Sequence, residues 1–421
     1  GPNRSLGMRD KGHLMQTLAA VTPPRHMAHL VASRSYLSYD DRELQDKLKH
    51  NPYSYIQVIN PDASRDVKVP RGTAAFFDEV RHGYQHFKTR GWLETASQSE
   101  WYVYRQSTAT HAWTGVVCNL DLASCANGGL KTHEKTLESR ETLFATFLET
   151  VGFHAEPILC ARPDDAPLAQ EANALMKEVV AVTSHTDFMT ADGIRHEIWR
   201  IPADGTLGKR MAQAWDAHST LYLADGHHRL ASSQRLAKAR PDLEGAGQIL
   251  AFVVPEKDLS ILGFHKEIRR IDMTVEAFED ALNRIPHCSL ESVDSKAASP
   301  SVPGEVVVHF QGHVWRLTRD AQSPEATDAD FVDVHVLKGV LNIQDARNNP
   351  RLKHLPEPSR PEQGWSSRAA AHPDRVLVLL HPIPFGHIRH VADHGNTLPP
   401  KSTWVEPKIR SALFIHEFQS A

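Results

Sequence analysis

The chain reads Thr220-Leu221-Tyr222-Leu223-Ala224-Asp225-Gly226-His227-His228-Arg229 where an apolar run meets a short polar turn. The apolar residues are partly β-favouring and indicate a buried strand, and the Asp-Gly pair indicates a tight turn. Good helix formers continue from His228 to Ala239, and Pro241 ends that pattern. The sequence therefore predicts a strand, a glycine turn and a helix in direct succession.

A helix that starts at this turn is suited to binding an anion. The first amides of a helix have no intrahelical partner and carry the positive end of the helix dipole. Gly226 would let a phosphate approach the backbone, and Arg229 would add a planar charged donor. His227 and His228 are candidates for nucleotide binding in the same loop, because either could donate to a phosphate oxygen. Asp225 is an oxygen ligand of the kind that Mg²⁺ prefers. A purely structural Asp-Gly turn, with His227 and His228 as caps, is the alternative that these residues leave open.

The run from Asp225 to Arg229 resembles the DGHHR signature of free serine kinases, which belong to the ParB/sulfiredoxin-like superfamily. Over most of residues 30–420 the chain also resembles the DUF1015 family, most clearly at Asn51-Pro52-Tyr53-Ser54, at Tyr104-Arg105-Gln106 and from Pro399 to Lys408. The resemblance implies a mixed α/β fold, in which a ParB/sulfiredoxin-like core is embedded in a larger chain of several lobes. It also implies an enzyme that uses ATP or ADP, with Mg²⁺, to phosphorylate the hydroxyl of free serine or a similar hydroxy-amino acid.

A His-Glu pair, His133-Glu134, precedes a predicted helix at Leu137–Val151 and a predicted strand at Glu156–Cys160. Free serine kinases carry such a pair in the same order before their DGHHR loop, so the resemblance implies that Glu134 is the catalytic base, with His133 beside it. The longer gap before the loop indicates an insertion over residues 162–217. A carboxylate that merely stabilises a helix start is the alternative for Glu134.

Two further groups are weaker candidates for the same site. Lys401, Ser402 and Thr403 follow two prolines and are candidates for phosphate binding, although a solvated loop explains them equally well. Arg105 and Tyr104 are candidates for binding the substrate carboxylate, although an arginine in a strand more often forms an ion pair.

At 421 residues the chain is longer than one hydrophobic core usually allows. We expect a tag or flexible terminus over residues 1–20, an N-terminal lobe over 21–114, the nucleotide-binding core over 115–275 and a C-terminal lobe over 276–421. Within these, paired strands are predicted at Trp101–Arg105 and Trp113–Leu120, a strand at Ser54–Ile59, and a long irregular stretch from Asn348 to Ala371.

Composition narrows the class of function. The net charge of −4 gives no reason to expect a nucleic acid partner, and four scattered cysteines indicate reduced thiols in a cytoplasmic protein. No apolar run is long enough for a membrane helix. The competing hypotheses are a non-catalytic, ParB-like nucleotide-binding module and a metal-dependent hydrolase that uses Asp225, His227 and His228. The choice of ATP or ADP, the acceptor and the oligomeric state stay open.

Overall fold

The computed structural model describes residues 13–35, 38–215, 220–294 and 299–419. They form a mixed α/β fold, as predicted, and divide into two compact units. Unit 1 comprises the chain up to residue 132, residues 136–259 and the chain from residue 407 onwards, and unit 2 comprises residues 133–135 and 260–406. No helix within the described ranges is long and apolar enough to cross a membrane.

The strands are, in chain order, β1 (Met15–Gln16), β2 (Val21–Thr22), β3 (Ser33–Arg34), β4 (Glu94–Thr95), β5 (Glu100–Ser107), β6 (Ala112–Asp121), β7 (Leu130–Lys131), β8 (Phe153–His154), β9 (Ile158–Arg162), β10 (Thr186–Met189), β11 (Arg195–Pro202), β12 (Leu221–Asp225), β13 (Gln248–Pro255), β14 (Ser260–Leu262), β15 (Phe264–Ile268), β16 (Cys288–Ser292), β17 (Glu305–Phe310), β18 (His313–Arg319), β19 (Leu352–Pro356), β20 (Val376–Leu380), β21 (Trp404–Glu406), β22 (Arg410–Ser411) and β23 (His416–Glu417). The α-helices are, in chain order, α1 (Ala28–Val31), α2 (Asp41–His50), α3 (Ile56–Ile59), α4 (Ala74–Thr89), α5 (Leu122–Ser124), α6 (Glu138–Val151), α7 (Ala169–Val180), α8 (Thr206–Trp215), α9 (His227–Ala239), α10 (Val275–Asn283), α11 (Asp328–Phe331), α12 (Trp365–Ala371) and α13 (Phe385–Asp393).

Unit 1 is built on one mixed sheet, in which the strands follow the order β10-β11-β5-β6-β13-β9-β12-β7 and β1 adds to β6. Strands β5 and β6 pair antiparallel, which confirms the predicted pair. They share this sheet with β12, although the sequence prediction drew a lobe boundary near Thr114. Met15–Gln16, in the stretch predicted as a tag or flexible terminus, pairs with β6 because Met15 is buried in the core.

The strand before the predicted phosphate loop is held on both sides. β12 runs antiparallel to β9 and parallel to β7, with Leu221 opposite Leu130. Leu221 and Leu223 are fully buried in the unit 1 core, and Tyr222 and Ala224 on the other face of the strand are buried as well. The register against β9 shifts between Leu223 and Asp225, which is how a β-bulge changes the direction of a strand end.

Helix α6 confirms the predicted helix and ends at Gly152, whose φ of 84° is the left-handed conformation that favours glycine. Its buried apolar residues are Leu148 and Val151, whereas Leu143 and Phe144 are exposed. Full burial is therefore confined to the C-terminal part of the helix.

Unit 2 contains an antiparallel sheet of order β16-β18-β17-β20-β15-β19. One apolar cluster packs this sheet against α10 and α13 through residues such as Phe278 and Ile388. A smaller cluster includes Leu355 of β19 and Trp365 of α12. Unit 2 thus has a core of its own.

Two sequence predictions are wrong. Ser54–Ile59 is not a strand, because Ile56–Ile59 forms the short helix α3, in which Ile56 and Val58 are both buried and the Asn60 side chain donates to the Ile56 carbonyl at 2.8 Å. The stretch from Asn348 to Ala371 is not irregular throughout, because it contains β19 and α12. Pairing of β19 with β15 supplies the order that the local sequence does not indicate.

Candidate phosphate-binding site

The turn between β12 and α9 leads directly into the first turn of a helix. Gly226 precedes the first helical residue with φ 104° and ψ 30°, and no side chain of the described residues caps the helix there. The Leu230 amide donates to the Gly226 carbonyl at 2.9 Å, which is the first hydrogen bond along the helix. The amides of residues 227–229 therefore lie before the hydrogen-bonded ladder, where an anion can accept from them.

Gly226 is required by space as well as by its backbone conformation. A Cβ at this position would lie 2.7 Å from the Cγ2 of Ile158 and 2.8 Å from the Nη2 of Arg229. Ile158 is fully buried in β9, so it has little freedom to move away. The loop is therefore packed closely between a rigid strand and the arginine of its own helix.

Arg229 folds back against this turn and is held by a carboxylate. Its Nη1 donates to the Oε2 of Glu156 at 2.7 Å, and the Oε1 of Glu156 accepts from the Oγ of Ser411 at 2.6 Å. The Arg229 Nε is buried and has no hydrogen-bond partner among the described residues. The guanidinium is thus placed beside the helix start, with donor capacity that the protein does not fully use.

Asp225 faces a lysine that the sequence analysis did not identify. The Nζ of Lys408 lies 3.7 Å from the Oδ2 of Asp225, and the two side chains are 43% and 45% exposed. The Lys408 carbonyl accepts from the Nε2 of the buried Gln106 on β5 at 3.0 Å. Lys408 is the last residue of the Pro399–Lys408 segment, which resembles the DUF1015 family. That resemblance was the feature of the sequence that could have identified Lys408 as a site residue.

The histidines of the turn differ in exposure, because His227 is buried and His228 is only half-buried. The hydroxyls of Ser232 and Ser233 donate to the carbonyls of His228 and Arg229 at 2.6 and 2.7 Å. These bonds tie the first turn of α9 to the next. The turn is therefore rigid on its helical side.

A buried histidine supports the same helix. The Nε2 of His154 lies 3.3 Å from the Oγ of Ser233. Burial, with smaller contributions from the charges of His416 and Arg229, lowers the pKa of His154 to about 3. His154 is therefore neutral at physiological pH and can donate to Ser233, whose own proton goes to the Arg229 carbonyl.

The predicted catalytic base Glu134 and its neighbour His133 lie in unit 2. The Leu398 amide donates to the His133 carbonyl at 2.8 Å, and the Nε2 of His133 lies 3.9 Å from the Oε1 of Glu134. The His133 side chain is buried, whereas the Glu134 side chain is 40% exposed. A base must reach its substrate, and this exposure is compatible with that role.

The candidate phosphate-binding loop at Lys401, Ser402 and Thr403 also lies in unit 2. The Nζ of the buried Lys266 donates to the Lys401 carbonyl at 2.7 Å, and the Oγ of Ser402 donates to the Pro399 carbonyl at 2.5 Å. Burial lowers the pKa of Lys266 to about 7. These contacts fix the backbone of the loop, and its role in phosphate binding stays a prediction.

The predicted carboxylate-binding residues have partners within the protein. Arg105 pairs with Glu197, whose Oε1 lies 2.9 Å from the Arg105 Nη2. The Tyr104 phenol, whose pKa is raised by burial, donates to the Nδ1 of His196 at 2.6 Å. Both residues lie on β5, and the strands β6, β13 and β9 separate β5 from β12 in the sheet. Substrate binding by Arg105 and Tyr104 remains a prediction.

The family model described as "Protein of unknown function (DUF1015)" matches residues 15–340 of the chain. No curated protein sequence matches it.

Several solved structures are similar to the chain at low identity. A C-terminally truncated SbnI from Staphylococcus aureus has 12% identity and a TM-score of 0.38, with 69% of this chain and 82% of that chain covered. A mutant free serine kinase in complex with ADP has 11% identity and a TM-score of 0.36, with coverage of 70% and 92%. A conserved hypothetical protein from Pyrococcus furiosus has 10% identity and a TM-score of 0.32, with coverage of 70% and 95%. Likeness at this level carries no argument about activity.

Proposed function

We propose that this chain, which belongs to the DUF1015 family, is a nucleotide-dependent kinase that phosphorylates the hydroxyl of free serine or a similar small hydroxy-amino acid. The observation that carries the proposal is the start of α9 behind Gly226, which no side chain of the described residues caps and against which the Arg229 guanidinium is packed, with Asp225 directly before it in the chain. The DGHHR resemblance of the same five residues supplies the reaction class.

The donor nucleotide would bind through its phosphates. Backbone amides of His227, His228 and Arg229 would donate to phosphate oxygens, as at other helix starts that bind phosphate. Arg229 would add a charge-assisted hydrogen bond through the exposed part of its guanidinium group. Phosphoryl transfer depends mainly on such positioning and on neutralising charge.

Asp225 fits the role of a magnesium ligand. Mg²⁺ is usually held by one or two carboxylates together with substrate phosphates, and Asp225 presents a half-exposed carboxylate at the end of β12. The ion, when bound, would neutralise charge on the transferring phosphoryl group.

Glu134 would serve as the base. β7 runs parallel to β12, so the chain that leaves β7 and the chain that leaves β12 depart from the same end of the sheet, and Glu134 follows β7 closely in sequence. The carboxylate would take the proton of the serine hydroxyl, whose oxygen would attack the terminal phosphorus. The bond from that phosphorus to the bridging oxygen would break, releasing ADP from ATP or AMP from ADP.

The test is ³¹P NMR of the purified protein with Mg²⁺, a nucleotide and an acceptor. ATP and ADP are supplied in turn, and free serine, threonine and homoserine are compared as acceptors. We expect a new phosphomonoester resonance with serine that disappears when EDTA removes Mg²⁺. Absence of a phosphomonoester with every donor and acceptor would overturn the kinase, and a non-catalytic nucleotide-binding module would take its place if nucleotide still binds.

A further inference from the structure

Lys408 is a basic residue at the candidate phosphate site that the proposed mechanism does not yet use. Three segments noted for their family resemblance meet at it: its own segment, the β5 segment that contains Gln106, and the loop that contains Asp225. We propose that Lys408 is a phosphate-binding residue, and that its ammonium group contacts a phosphoryl oxygen of the bound nucleotide. This inference rests on the proposed function in placing phosphate at the start of α9.

The backbone around Lys408 is fixed at several points. Gln106 donates to the Lys408 carbonyl, and the buried Arg410 pairs antiparallel with Arg34 in β3 and forms an ion pair with Asp192. Ser411 donates to the carboxylate that holds Arg229. The segment that carries Lys408 is therefore tied to the same loop that would bind phosphate, and its position does not depend on the Lys408 side chain.

The contact between the Lys408 ammonium group and the Asp225 carboxylate is weak. The distance of 3.7 Å between them is longer than a hydrogen bond, and both side chains are nearly half-exposed. Ion pairs of this kind contribute little to stability, so the two groups can separate at small cost. A lysine is a compact charge on a flexible stem and can follow a phosphate over a short distance.

The site therefore contains two cations that each face a carboxylate. Arg229 is paired with Glu156, and Lys408 lies beside Asp225. Asp225 would hold a divalent cation, and the Lys408 ammonium group beside it would supply a further positive charge for the phosphates. The divalent cation and the two side chains would together balance much of the negative charge of a di- or triphosphate.

The experiment is calorimetric titration of the full chain with pyrophosphate and with ADP, each with and without Mg²⁺. The variants are Lys408→Met, Lys408→Arg and, as a matched control, Lys238→Met, which changes an exposed lysine in the last turn of α9. We expect Lys408→Met to weaken both ligands by about tenfold or more, the usual effect of losing a charge-assisted hydrogen bond. Lys408→Arg should retain most of the affinity, and Lys238→Met should match the wild type.

A second measurement does not depend on the methionine variant. Asp225→Asn removes the carboxylate that faces the ammonium group, so we expect tighter binding of pyrophosphate in the absence of Mg²⁺. In the Lys408→Met background, the same substitution should have a smaller effect. Equal effects in both backgrounds would overturn the inference.

The outcomes separate this inference from the kinase. Wild-type affinity in Lys408→Met would overturn the role of Lys408 and leave the kinase standing. If Lys408→Met binds weakly and the wild type phosphorylates no hydroxy-amino acid, the phosphate-binding role of Lys408 would be supported and the proposed kinase activity would be overturned. Failure of the wild type to bind pyrophosphate or ADP would overturn both.

Discussion

Gly226→Ala places a methyl group where the loop between β12 and α9 has no room. The new Cβ would lie 2.7 Å from the Ile158 side chain and 2.8 Å from the Arg229 guanidinium. The backbone at residue 226 also has a φ of 104°, which residues with a side chain rarely adopt. A left-handed conformation costs a residue with a side chain about 1–2 kcal/mol, and overpacking costs about 1–3 kcal/mol more. We therefore expect the free energy of unfolding of unit 1 to fall by about 2–5 kcal/mol.

Gly152→Ala is the matched control, because Gly152 has φ 84° and nothing within 4 Å of the site of its Cβ. It should lower the free energy of unfolding by the conformational part alone, about 1–2 kcal/mol. Urea unfolding compares the two variants directly, since both glycines lie in unit 1. Equal losses would refute the idea that Ile158 and Arg229 enclose the loop. Calorimetry should also show weaker pyrophosphate binding in Gly226→Ala only.

Three further predictions concern the site and its support. Arg229→Ala should weaken ADP binding at least tenfold by calorimetry, and unchanged affinity would place the phosphate site elsewhere. Glu134→Gln should preserve nucleotide affinity but lower turnover by ~10²-fold, as loss of a general base does, whereas Glu138→Gln should leave both unchanged. Normal turnover in Glu134→Gln would remove the base assignment. The third prediction concerns His154, whose pKa is 6.5 in the unfolded chain and about 3 in the folded protein. Below pH 6.5 the unfolded chain takes up a proton that the folded protein does not, so the free energy of unfolding is highest above pH 6.5 and falls as pH is lowered towards 3. Between pH 7 and 5 this loss is about 2 kcal/mol, and a His154→Gln variant with the same pH dependence in urea unfolding would contradict the assignment.

The strand, turn and helix around Gly226 could be predicted because their signals are local. An apolar run, an Asp-Gly pair and good helix formers are adjacent in sequence, and the observed β12 and α9 begin within one residue of the expected positions. The same kind of reasoning gave the wrong prediction for Ser54–Ile59. A short apolar run does not distinguish a strand from a helical turn, and here burial of both Ile56 and Val58 decided the outcome.

The partners of the site residues could not be predicted, because they come from distant parts of the chain. Glu156 meets Arg229 and Ser411 only after β9, β12 and β22 are in place. Lys408 meets Asp225 only when its backbone is bound to Gln106. Single sequences contain no signal for such pairings. The charged residues at the start of α9 were therefore recognised, whereas the carboxylate that holds Arg229 and the lysine beside Asp225 were not.

The division of the chain has a consequence for synthesis on the ribosome. Most of unit 2 is one continuous segment, residues 260–406, whereas unit 1 also needs the residues that follow it. β22 pairs with β3, and β23 pairs with β8, so these contacts join residues more than 250 positions apart. Contacts between residues so far apart in sequence form slowly. The N-terminal part of unit 1 cannot complete its folding until β22 and β23 have been translated. Unit 2 is therefore free to fold first, and the candidate site is completed only after residue 411 has left the ribosome.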